Sequence, residues 1–109
     1  MTSSLNRSSA CDAISHRHLL RFRYTDNKTR VVEPHLVGEN TAHHDILIAW
    51  RLRTEVIDAS HAVGWRNYLL DEMHSLEVLT EAFDRPRPDF NPNDRHILRV
   101  YCHVIPDPT

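Results

Sequence analysis

The sequence predicts a mainly β domain with one N-terminal helix, folded as a small barrel and followed by an extended tail and a last strand. Three observations carry that expectation. Apolar and polar residues alternate with period two in several separate segments, as in half-buried strands. Those segments are short and set apart by turn residues. A helix start signal precedes the first of them. The 109 residues leave room for one modest core, and 40% apolar with 26% charged residues suits a globular chain.

The elements follow in order. Residues 1–8 are Ser-rich and expected to be disordered. Ser9-Ala10-Cys11-Asp12 fits an S-x-x-D helix start, and Ala10, Ala13 and Ile14 share a face, so a helix is predicted over 9–17. Leu20, Phe22 and Tyr24 alternate with Arg21 and Arg23 as a first strand, closed by the turn Thr25-Asp26-Asn27-Lys28. Arg30 to Val37 reads as a second strand, with Pro34 marking an edge or a bulge. Gly38-Glu39-Asn40 is expected to turn the chain. Residues 46–52 are the most apolar run and predict a central strand; 53–64 form a loop. Trp65–Leu70 is a fourth strand, Asp71-Glu72 a tight corner, and Leu76–Leu79 a fifth strand. Pro86, Pro88 and Pro92 hold the tail extended, and Leu98, Val100, Cys102 and Val104 alternate as a sixth strand. The organisation is thus 1–8 disordered, 9–83 helix plus barrel, and 84–109 proline-rich tail with a terminal strand.

Composition narrows the function classes. The longest apolar run, Ile46–Trp50, is far short of a membrane span, and the N-terminus has no apolar leader, so a cytoplasmic protein is expected. Cys11 and Cys102 lie far apart without a C-x-x-C pair and read as free thiols. With two glycines, Gly38 and Gly64, left-handed turn positions must fall to Asn and Asp or be avoided. Phosphate-loop, dinucleotide, nucleophile-elbow and H-E-x-x-H motifs are absent, so no enzyme and no cofactor are expected. The nine histidines include His16-x-His18 and His43-His44, spacings that diverge on a helix or strand, so no metal is expected. Residues 16–30 carry a net +4 and residues 71–94 a net −5. These are solvated faces, or a basic patch for an anion and an acidic edge for a partner.

Strand parity places Arg66 with Tyr68 on one face and Trp65, Asn67 and Leu69 on the other. An arginine beside an aromatic can hold an anion by a fork plus stacking, or it can snorkel its head into water. Trp50 and Tyr24 are core residues or stacking platforms. His35 follows Glu33 on one face of the second strand, as a binding pair or a hydrogen-bonded surface pair.

The ordered set Ala13-Ile14, Leu20–Tyr24, Arg30–Leu36, Ile46–Trp50 and Gly64-Trp65-Arg66-Asn67-Tyr68-Leu69-Leu70-Asp71 resembles a WYL domain over residues 10–83. The tail is similar to the endings of short stand-alone WYL-like bacterial proteins. Two features depart from the family's pattern: its Trp-Tyr-Leu aligns with Asp45-Ile46-Leu47, and its basic residue after Asp71 is Glu72. The resemblance implies an Sm-like, SH3-type barrel and a non-enzymatic regulatory module that senses an anionic ligand, a nucleotide or short single-stranded nucleic acid. Arg66 would supply the fork, Arg30 a second charge, and Tyr68 or Trp50 a stacking surface, with His35 nearby. The alternative is a protein-interaction or homo-oligomerising module using the barrel edges, the acidic stretch and the tail.

Overall fold

The computed structural model of the chain describes residues 2–54 and 64–105. Helix α1 (Thr2–His16) leads into strands β1 (His18–Arg23), β2 (Thr29–Asn40), β3 (Asp45–Thr54) and β4 (Gly64–Leu69). A single 3-10 turn, Leu70–Glu72, follows, then β5 (His74–Ala82) and β6 (Ile97–His103). The pairings are antiparallel in the order β4-β3-β2-β1-β5, with β6 on β2. The two end strands of that order, β4 and β5, are joined by the 3-10 corner, which curls the sheet into a barrel-like shape. This is the mainly β, one-helix architecture that the alternation predicts.

Strand β2 organises the sheet. One edge pairs with β3 from Arg30 to Glu39. The other edge pairs first with β1, up to Val32, and then with β6, from Leu36 to Asn40. Pro34 lies at this changeover, beside a register shift against β3, so its missing N–H falls at a break in the pairing. Of the edge position or bulge expected at Pro34, the structure shows a shift of register between Pro34 and Leu36.

The predicted turn at residues 38–40 is corrected: β2 runs through to Asn40, and the chain reverses at Thr41–His44 instead. Asn40 builds that turn, its Oδ1 accepting from the N–H groups of Ala42 and His44 at 3.0 and 2.9 Å. Gly38 serves close approach rather than a turn. A Cβ there would stand 2.4 Å from the Arg99 carbonyl oxygen on β6. Left-handed backbone falls on Asn27 and Asp89, as the glycine shortage requires, but also on Arg17, His43 and Ser75. The expected 53–64 loop lies largely outside the described residues.

The core joins Leu20 and Phe22 of β1, Val32 of β2, Leu47 and Ala49 of β3, Tyr68 of β4, and Leu70 and Met73 at the corner. Helix α1 closes it with Ala10, Ala13 and Ile14. The expectation of disorder over 1–8 is overturned for residues 2–8, since α1 begins at Thr2. The buried Asn6 amide donates to the carbonyls of Leu70 and Met73, each at 2.9 Å. The Leu70 carbonyl also accepts from Met73 N–H at 3.2 Å, so it is the Met73 carbonyl that the amide keeps from being buried without a partner, a cost of about 1–3 kcal/mol. A contact across 64 residues is invisible to local patterning.

The free thiols are also corrected. Cys11 and Cys102 form a disulfide with their Cα atoms 5.8 Å apart, tying α1 to β6. Pairing of β6 with β2 brings Cys102 back beside the helix, which separation in sequence conceals.

Candidate anion-binding site

Strand register sorts the side chains onto two faces. Tyr68 stands opposite Leu47, Arg66 opposite Ala49, and Arg51 opposite Val32. Phe22 stands opposite Arg30. Leu47, Ala49, Val32 and Phe22 are core residues, so Arg30, Arg51, Arg66 and Tyr68 share the inner face. Arg30 and Arg51 are 5% and 4% exposed, values rare for arginine.

The phenol of Tyr68 is the meeting point. Its ring packs edge-on against Phe22 and Tyr24, with centroids 5.0 and 5.1 Å apart. Tyr24 is itself fixed, its hydroxyl oxygen accepting from Leu69 N–H at 2.9 Å. Burial pushes the Tyr68 hydroxyl above the ordinary tyrosine range, opposed by the charges of Arg51, Arg30 and Arg66. At neutral pH the group is therefore a neutral O–H donor. Burial lowers the Arg51 pKa, with Arg66 and Arg30 acting in the same direction, yet a guanidinium remains charged.

Arg30 is held from outside. The Asp26 carboxylate accepts from Nη1 at 2.9 Å and Nη2 at 2.7 Å, and the Lys28 carbonyl accepts from Nη1 at 3.0 Å. This hydrogen bonding holds the Asp26 carboxyl well below the usual carboxylate range. The Arg30 Nε and the Tyr68 hydroxyl are both buried with no hydrogen-bond partner among the described residues. Two unsatisfied buried donors beside converging positive charge are an arrangement that an anion would complete.

The opposite face is built differently. Trp50 and Trp65 stand across from each other, centroids 5.5 Å apart. The tail crosses them: Phe90 stacks on Trp65 at 6.0 Å, and Trp65 Nε1 donates to the Pro88 carbonyl at 3.3 Å. The Arg87 guanidinium lies 5.0 Å from the Trp50 ring centroid and donates to both Glu33 oxygens, at 2.6 and 2.9 Å. His35 is fully buried beneath this strap. Its Nε2 accepts from Arg87 N–H at 3.0 Å, so the proton sits on Nδ1, 2.8 Å from the Glu33 carbonyl. Burial lowers the His35 pKa, partly offset by that Glu33 bond.

The structure thus brings together Arg66, Tyr68 and Arg30, and places Trp50 and His35 on the other face. The expected Glu33–His35 surface pair is corrected: both residues are buried, and the Glu33 carboxylate engages Arg87 rather than His35. Sequence reasoning missed Arg51, although parity could have found it, two residues beyond the inward Ala49. It also missed Asp26 and Arg87, whose partners no pattern reveals. Among the described residues, no group of three His, Cys, Asp or Glu side chains is placed to hold a metal ion. No described helix is long and apolar enough to cross a membrane.

No family model matches the chain, and no curated protein matches it. Among solved structures it is similar to the proteasome accessory factor B/C (PafBC) of Arthrobacter aurescens, at 23% sequence identity and a TM-score of 0.61. The likeness covers 81% of this chain and 13% of that one. It shows a shared fold.

Proposed function

We propose that the protein is a non-enzymatic, WYL-like regulatory module that senses an anionic ligand, a nucleotide or a short single-stranded nucleic acid. One observation carries the reading: Arg30, Arg51 and Arg66 share the inner face with Tyr68, and two buried donors there, Arg30 Nε and Tyr68 Oη, have no partner among the described residues. The fold shared with PafBC, a WYL-domain-containing protein, supports the regulatory half of the reading. In this reading Arg66 and Arg30 each present a fork, Arg51 adds to the field, and Tyr68 is the neutral donor. Trp50 and His35 act at a distance, by seating the tail. A cytoplasmic location belongs to the same proposal; the Cys11–Cys102 bond pulls against it, because disulfides are rare in that compartment.

A thermal-shift series with nucleotides and short oligonucleotides tests this, because a ligand that binds only the native state raises the melting temperature. Arg66→Ala should weaken binding about ten- to a hundredfold, the loss of about 1.5–3 kcal/mol of charge-assisted bonding. A variant that melts lower but binds as the parent does would make Arg66 a brace and end the assignment.

A second reading has its own observation. Leu98 and Val100 of β6 are 56% and 40% exposed. Apolar side chains on an outer strand suit contact with another protein or a second copy. Light scattering at high micromolar concentration separates the two readings.

A further inference from the structure

We infer that Asp26 is a specificity-determining residue, a tethered carboxylate in the Arg30 fork that holds off carboxylates and phosphodiesters and yields to a phosphate monoester. The inference rests on the anion reading of the arginine cluster and names the charged group of its ligand.

Asp26 sits in the β1–β2 turn, which is closed by Tyr24 N–H to the Lys28 carbonyl at 3.1 Å and Asn27 N–H to the Tyr24 carbonyl at 2.8 Å. Lys28 N–H also donates to Asp26 Oδ1 at 3.1 Å. Fixed this way, the carboxylate meets both terminal nitrogens of Arg30 in the two-point geometry that an external carboxylate or phosphate would use. Tethering places it there at an effective concentration of at least the millimolar order.

An incoming carboxylate offers the same group and the same charge. Exchanging it for Asp26 gains no bond and immobilises a free molecule. A phosphodiester likewise brings one negative charge. A phosphate monoester brings about −1.5 to −2 at pH 7 and three acceptor oxygens. It can occupy the fork and still reach Arg30 Nε and Tyr68 Oη, the two donors without a partner among the described residues, while its second charge meets the field of Arg51 and Arg66. The exchange is open on one side only. The Asp26 side chain is 35% exposed and can turn to water; that of Arg30 is 6% exposed and stays.

Calorimetry on the full chain, with phenyl phosphate, methyl phenyl phosphate and benzoate as probes, tests the inference. The parent protein should bind phenyl phosphate at least about tenfold more tightly than the other two. Asp26→Asn keeps the shape and removes the charge. Benzoate and the diester should then gain about tenfold or more and the monoester less, so that the preference collapses. An unchanged preference, or an equal loss for all three probes, would overturn the inference and leave Asp26 as a brace for Arg30. A parent protein indifferent to all three probes would remove the anion reading itself, and this inference with it. Should Asp26→Asn fail to fold, the parent protein supplies the test through the carbon resonance of the Asp26 carboxyl. Saturating phenyl phosphate should return its titration to the ordinary carboxylate range and benzoate should not; no movement overturns the inference. Adenosine monophosphate compared with thymidine trinucleotides, with and without a 5′-phosphate, tells a free nucleotide from a strand end.

Discussion

Acidification should release the tail strap through His35. The imidazole is fully buried and neutral, with Nε2 accepting from Arg87 N–H at 3.0 Å. Protonation turns that acceptor into a donor facing a donor, and puts a charge under the Arg87 guanidinium and near Arg17, relieved in part by Glu33. The sign follows from the lowered pKa. Between the folded value and the ordinary 6.5, the unfolded chain binds the proton and the native one does not. Stability is therefore full above about pH 6.5 and falls as the pH drops below it, by at most about 1.4 kcal/mol per pH unit for this one proton. The lost hydrogen bond itself is worth about 0.5–1.5 kcal/mol. Both tryptophans of the chain, Trp50 and Trp65, lie under the strap, and Trp65 is 4.8 Å from His35 between ring centroids. Their emission should shift to the red as the pH falls from 7.5 to 5.5, ahead of global unfolding in urea. His35→Gln keeps an acceptor for Arg87 N–H and does not titrate, so it isolates His35 from the eight other histidines. Parallel stability curves for the parent and His35→Gln, or flat emission in the parent, would refute the reasoning.

Three further outcomes are expected. Gly38→Ala should loosen β6 selectively, at a cost of about 1–3 kcal/mol, because the new Cβ meets backbone at 2.4 Å; amide exchange confined to residues 97–103 reports it, and parental protection there would count against it. Cys102→Ser opens a 91-residue covalent loop and should lower stability in urea by about 2–5 kcal/mol, whereas an unmoved midpoint would mean that the thiols are not joined. Asn6→Ala should cost about 1–3 kcal/mol and speed amide exchange over the first half of α1, since the Met73 carbonyl loses its donor and the Leu70 carbonyl keeps only Met73 N–H.

Local periodicity made most of this fold legible. Leu20-Phe22-Tyr24 and Ile46–Trp50 point to their strands directly, because alternation and β-branching are properties of neighbours in sequence. The Arg66–Tyr68 half of the site was readable for the same reason: parity along one strand puts both on one face. What sequence alone conceals depends on register between strands. Asp26 joins the cluster only because its turn folds over Arg30, and Arg87 reaches Glu33 only because the tail returns across β2. Asn6 and Cys11 resemble residues of an ordinary Ser-rich terminus until the corner and β6 arrive beside them. His35 and Trp50 attracted a binding role through residue type, whereas their surroundings show them seating the tail.

The division of one edge of β2 between two partners bears on how the chain acquires its fold. Strands β1 to β5 follow one another closely and can assemble from nearby segments, while the slot along Leu36–Asn40 waits for residues that arrive much later. Until then it is a bare template of backbone donors and acceptors beside the buried Leu36 and Val37. A neighbouring molecule's β6 carries the same sequence and fits the same slot, reached by a proline-stiffened arm. Refolding at high concentration thus sets intramolecular closure against strand exchange, and the Cys11–Cys102 bond then locks in whichever pairing formed first. Dilution before oxidation favours the monomer, and oxidation before dilution favours exchanged, covalently linked pairs.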